Sequence, residues 1–68
     1  MPILNSDALA AVWYSETRQT LRATFRESGR TYVYEDVTPQ EYAELMAAES
    51  KGAWFNAHIR DSHRFREV

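Results

Sequence analysis

QTLRATFRESGRTYVYED, residues 19–36, decides how the rest of the chain folds. In its first half Leu21, Ala23 and Phe25 alternate with Thr20, Arg22, Thr24 and Arg26. A period of two marks a strand with one apolar and one polar face. The second half, residues 30–36, reads as a second strand. Between them Glu27-Ser28-Gly29-Arg30 is a tight-turn signal, with a glycine where the backbone needs positive φ. A two-residue turn over Ser28 and Gly29 pairs Phe25 with Tyr32, Thr24 with Val33, Ala23 with Tyr34 and Arg22 with Glu35.

Upstream, Leu9 to Tyr14 reads as a first strand, joined by the polar turn Ser15 to Gln19. Trp13 opposite Leu21 sets Ala11 against Ala23 and Leu9 against Phe25. The inner face is then Leu9, Ala11, Trp13, Leu21, Ala23, Phe25, Tyr32 and Tyr34. The outer face carries Ala10, Val12, Arg22, Thr24, Val33 and Glu35. Half of that outer face is apolar, which suits a homodimer or a protein partner centred on Val12 and Val33.

Downstream the period changes. Thr38 is an N-cap, Pro39 suits the first helical position, and Glu41 completes a capping box. This helix runs to about Ala48, with Tyr42, Leu45 and Met46 as its apolar stripe. A second helix begins at Ser50 and runs to about Arg60. Gly52, Phe55, Asn56 and Ile59 follow the i, i+3, i+4, i+7 spacing and face the core. Lys51, Trp54 and His58 share a neighbouring face. The tail from Ser62 is polar apart from Phe65, which is placed to fold back, and Val68. The expected fold is α+β: a three-stranded antiparallel β-meander followed by two α-helices packed on one face (β-β-β-α-α). It forms a single domain over residues 1–68, with 1–8 and 66–68 as loose ends.

Composition narrows the function. Sixty-eight residues make a small core, worth roughly 3–5 kcal/mol of net stability. There is no cysteine, so no disulfide helps it. No apolar run approaches the ~20 residues of a membrane span, and no basic segment precedes the first apolar stretch. The chain is therefore expected to be soluble and cytoplasmic. Net charge is −2, unevenly spread. Residues 1–49 carry Arg18, Arg22, Arg26 and Arg30 against eight acids. Residues 50–68 carry Lys51, Arg60, Arg64 and Arg66 against Asp61 and Glu67.

Tyr32-Val33-Tyr34 at the centre, followed by Ser50-Lys51-Gly52 with Phe55, Asn56, Ile59 and Arg60, resembles the KTSC domain. That domain is named for the C-terminal segment of some lysyl-tRNA synthetases and also occurs as a stand-alone bacterial or phage protein. The resemblance covers roughly Leu9 to Val68. It implies no established molecular function, and RNA binding is the activity that the synthetase context suggests. The family places an aromatic-proline-aromatic segment after the position of Asp61. Here those positions are His63, Arg64 and Phe65, so the resemblance does not carry the docking of the tail.

The candidate binding surface for RNA or another anionic partner is Lys51, Gly52, Trp54, His58, Arg60, Arg64 and Arg66. A helix N-terminus carries a partial positive charge, so Lys51 there is unfavourable unless something negative lies nearby. That negative group is either a bound anion or an acid of the chain, Asp36 or Glu49. Trp54 is either a binding aromatic or a second-tier core residue. Tyr32 and Tyr34 lie on the covered sheet face and read as structural. Asn56, on the apolar stripe, reads as a structural group that ties the helix to a loop or the tail. His58 and His63 lack the i, i+4 spacing of a helical metal pair, and no metal or cofactor is expected. Asp61, Ser62 and His63 are consecutive and cannot converge as a catalytic triad. The expected function is a small non-enzymatic binding module.

Overall fold

The structure is a computed structural model and describes residues 8–68. Of the N-terminal end expected to be loose, residues 1–7 lie outside the described residues. The element order is β1 (Leu9–Ser15), β2 (Thr20–Phe25), β3 (Thr31–Tyr34), α1 (Pro39–Ala47), α2 (Lys51–His58) and β4 (Phe65–Glu67). The sheet is antiparallel in the order β1-β2-β3-β4. It thus has four strands where the sequence predicts three. The tail expected to be loose at 66–68 pairs with β3, and the Val68 N–H donates to the Thr31 carbonyl.

Both hairpin registers differ from the sequence reading. The β2–β3 loop is longer than two residues. The Phe25 N–H donates to the Arg30 carbonyl, and the Phe25 carbonyl accepts from Gly29, which sits at φ +72°. Pairing then runs Leu21–Tyr34, Arg22–Val33, Ala23–Tyr32 and Thr24–Thr31. This is a slip of two residues, so every side chain keeps its expected face. The Thr24 and Thr31 hydroxyls meet across it at 2.7 Å.

The β1–β2 difference is larger in effect. Leu9 pairs with Phe25 as expected, but Ala11 then pairs with Thr24, so Ala10 is an inserted residue. Such a bulge shifts all later positions by one, and a shift of one reverses the faces. Val12 therefore lies against Ala23 and is fully buried in the core. It is not available to a partner. Ala11 and Trp13 move to the outer face, where Trp13 is 49% exposed beside Arg22. Tyr14 turns inward, stacks on Tyr42 of α1 at 4.6 Å and donates its hydroxyl to the Val37 carbonyl at 2.6 Å.

Leu9, Val12, Leu21, Ala23 and Tyr34 of the sheet, with Val37, Leu45, Phe55 and Ile59, make the core. The helices start as the caps dictate. The Thr38 hydroxyl accepts from the Glu41 N–H at 3.1 Å, and Glu41 Oε1 accepts from the Thr38 N–H at 3.0 Å. Ser50 accepts from Ala53 N–H at 3.4 Å. Beside the core, five rings close a circuit. Phe25, Tyr32, Phe65, Tyr34 and Phe55 contact one another in that order, with Phe55 returning to Phe25, at centroid distances of 5.0–5.8 Å. Four of the five contacts are edge-to-face, the favoured geometry for aromatic pairs. Phe65 joins this circuit because β4 pairing places it opposite Tyr34.

The bulge predicts an asymmetric pair of variants. Val12→Asp buries an unpaired carboxylate at a cost of several kcal/mol, comparable with the whole stability of a domain this small. Trp13→Ala costs about 1 kcal/mol or less. Urea denaturation followed by circular dichroism reads both. An unbulged strand gives the reverse order.

Candidate functional site

The seven residues of the expected basic surface do not form one surface. On α2, Gly52, Phe55 and Ile59 point at the core. At about 100° per residue, Lys51, Trp54 and His58 fall on one flank of that stripe, and Asn56 and Arg60 on the other. Asn56 is exposed, not buried as its place on the stripe suggested, because a four-residue apolar pattern is wider than the contact the sheet offers. Arg64 and Arg66 are on β4 or at its edge. Phe65 and Glu67 pair with Tyr34 and Tyr32 on the inner face, so alternation sends Arg66 to the outer one.

Lys51 has a structural partner, and it is neither Asp36 nor Glu49. Its Nζ donates to the carbonyl of Ala48 at 3.4 Å. Ala48 is the C-cap of α1. The lysine thus sits at the negative end of one helix while starting the next, which offsets its unfavourable place on α2. Trp54 packs against the core and its ring meets that of His58 at a tilt, with centroids 4.5 Å apart. This flank is accounted for by contacts within the chain.

The outer sheet face gathers groups that point outward. The cross-strand row Trp13, Arg22, Val33, Arg66 runs over all four strands. The Arg22 guanidinium lies over the Trp13 ring, 5.4 Å from its centroid. Such a cation–π contact holds both side chains in a fixed arrangement. Val33 lies under this layer, 6% exposed. Glu35 and Arg64 continue the ladder at one end, joined by the Glu35 N–H to the Arg64 carbonyl. The strand positions of this face thus bring Arg22, Arg64 and Arg66 together against one carboxylate, Glu35. Sequence alternation places Trp13 on the inner face and gives Arg22 no role beyond the outer one. The run LAAVWY is apolar throughout and carries no signal for the phase of its alternation.

His63 holds the tail in place. Its Nδ1 lies 2.8 Å from the Glu35 carbonyl and its Nε2 lies 2.8 Å from Glu41 Oε2. One Glu41 carboxylate therefore closes the cap of α1 with one oxygen and anchors the start of β4 with the other. Burial pushes the Glu41 pKa up. Hydrogen bonds from Thr38 and from His63, with the charge of His63, outweigh it and leave the carboxyl below its ordinary value of 4.5.

The sheet with two helices on one face and a closing C-terminal strand defines a small α+β domain without a metal or nucleotide motif among its described residues. No helix among them is long and apolar enough to cross a membrane. The chain belongs to the KTSC domain family, whose model matches residues 5–65. It is similar to a protein of Tsukamurella paurometabola, 37% identical over 68 residues, covering 100% of this chain and 97% of the other. The crystal structure of a KTSC domain protein from Yersinia pestis superposes with a TM-score of 0.93 at 28% identity, covering 98% of this chain and 93% of that one.

Two measurements check the anchor. His63→Ala removes both contacts of a mostly buried ring and costs roughly 2–3 kcal/mol. It speeds hydrogen exchange at the Glu35 and Val68 amides, which bridge β3 to the tail. Because the folded-state pKa of Glu41 is depressed, its contribution is present above about pH 4.5 and is lost as pH falls through the folded value. The denaturation midpoint of the wild type drops between about pH 5 and pH 3, and Glu41→Gln flattens that drop.

Proposed function

We propose that this protein is a non-enzymatic binding module that holds single-stranded RNA on the outer face of its sheet. The observation that carries the reading is Trp13, half exposed under the Arg22 guanidinium and in one row with Arg66. Single-strand binders combine an aromatic surface, on which a base stacks, with cations that track the phosphates. Both are present on one open face here, although the whole chain is net negative. The family resemblance to a synthetase segment points the same way.

The geometry moves the reading from α2 to the sheet. Lys51, Trp54 and His58 are engaged with Ala48, the core and each other. Arg60 lines a cleft with Asp61 and Glu27, where phosphates are repelled as well as attracted. A homodimer or protein partner on the outer face has less support, because Val12 is in the core and Val33 is covered.

The test is a fluorescence-anisotropy titration of a labelled single-stranded oligouridine at about 50 and 200 mM salt. Binding is expected to weaken with salt as phosphate counterions are released. Trp13→Ala lowers affinity roughly fivefold or more, from a stacking contribution of ~1–3 kcal/mol. Arg22→Ala and Arg66→Ala each reduce the salt slope by about one. Lys51→Ala leaves the affinity unchanged. Absence of binding at low salt, or full affinity in Trp13→Ala, overturns the proposal.

A further inference from the structure

On the opposite face of the sheet, between its inner surface and α2, lies an open cleft of about 680 Å³. That volume is within the range of small-molecule sites, ~300–1,000 Å³. Its floor is aromatic: Phe25, Tyr32 and Phe65, three members of the five-ring circuit. Phe65 is 56% exposed there, a large apolar surface left open to water. The rest of the lining is largely polar. Tyr34, Asn56, Arg60 and Asp61 supply it, with Glu27 and Ser28 from the β2–β3 loop.

The polar lining carries charges of both signs. Arg60 and Asp61 are consecutive, yet they form no ion pair with each other or with another described residue within 4.0 Å. Both residues line the cleft together with Tyr34. Burial raises its pKa most, the Arg60 charge lowers it, and Asp61 raises it. A cation and an anion therefore line one cleft with the Tyr34 phenol, with no ion pair between them, beside an apolar floor. A purely anionic ligand meets Asp61 and Glu27. A purely cationic one meets Arg60. A wholly apolar one leaves all three charges without a partner. A small zwitterion with an apolar body satisfies each part, since its carboxylate and ammonium are carried on one carbon.

We propose that this cleft is a binding site for a free aromatic α-amino acid, with its ring on Phe65 and Tyr32, its carboxylate on Arg60 and Asn56, and its ammonium on Asp61. The site faces away from Trp13 and does not rest on the RNA reading. Charge-assisted hydrogen bonds supply the preference for the free amino acid over its blocked forms.

The test is titration of the isotopically labelled protein with L-phenylalanine, followed by amide and side-chain NMR shifts. Saturable shifts are expected at Asn56, Arg60 and Phe65, with the Trp13 indole unmoved. Arg60→Gln and Asp61→Asn, both on exposed residues, weaken binding by about tenfold each while leaving the remaining spectrum in place. N-acetyl-L-phenylalanine and L-phenylalaninamide each lose about as much. The proposal is overturned if no shifts appear at about 10 mM ligand, or if the doubly blocked N-acetyl-L-phenylalaninamide binds as well as the free amino acid, which would mark a merely apolar groove. Undiminished binding in both Arg60→Gln and Asp61→Asn overturns it equally.

Discussion

The inserted residue at Ala10 is the constraint on which the other arrangements depend. One extra residue in β1 reverses the faces of everything after it. Val12 and Tyr14 turn to the helices, and Trp13 turns to the outside. Tyr14 then meets Tyr42 and the Val37 carbonyl, which fixes where α1 begins. The same reversal gives the outer face its exposed indole and removes a valine from it. An in-phase strand puts Trp13 among Leu21 and Ala23, where two alanines leave the helices close to the sheet and little room for an indole.

The second determinant is the tail. A three-residue strand has few ladder hydrogen bonds of its own and is held by side chains. His63 reaches Glu41 on α1 and the backbone of Glu35, while Phe65 closes the ring circuit between Tyr32 and Tyr34. Arg30 and Glu67 add an exposed pair at 3.8 Å, which contributes little by itself. The tail is thus fixed by two part-buried polar contacts of His63 and two ring contacts of Phe65, on either side of Arg64. In a chain with no disulfide, this is how the C-terminal segment adds to a small core.

These two features give the sheet two chemically different faces. The outer one is a layer of arginines around an indole. The inner one is aromatic where the helices leave it open, with charges of both signs beside it. The cations of the C-terminal third are divided between them: Arg64 and Arg66 go to the first, Arg60 to the second, and Lys51 to the seam between α1 and α2. A count of charge along the chain joins residues that the fold separates.

The sequence by itself determined the element types, the order of the first five elements and both helix starts. These depend on interactions within a few residues: alternation in TLRATF, the Thr38–Glu41 cap, the Ser50 cap. It also determined the faces of β2 and β3, because a register slip of two residues leaves them unchanged. The phase of β1, the fourth strand and the site residues were decided by the tertiary structure alone. LAAVWY is apolar at each position, so only packing against Tyr42 and Val37 selects its phase. His63 finds its partners 22 and 28 residues away, beyond any local pattern. Asn56 and Arg60 became cleft residues because the sheet covers a narrower stripe of α2 than its apolar spacing allows. Lys51, which looked misplaced at a helix N-terminus, is explained by the end of the preceding helix, a neighbour that exists only once the two helices pack.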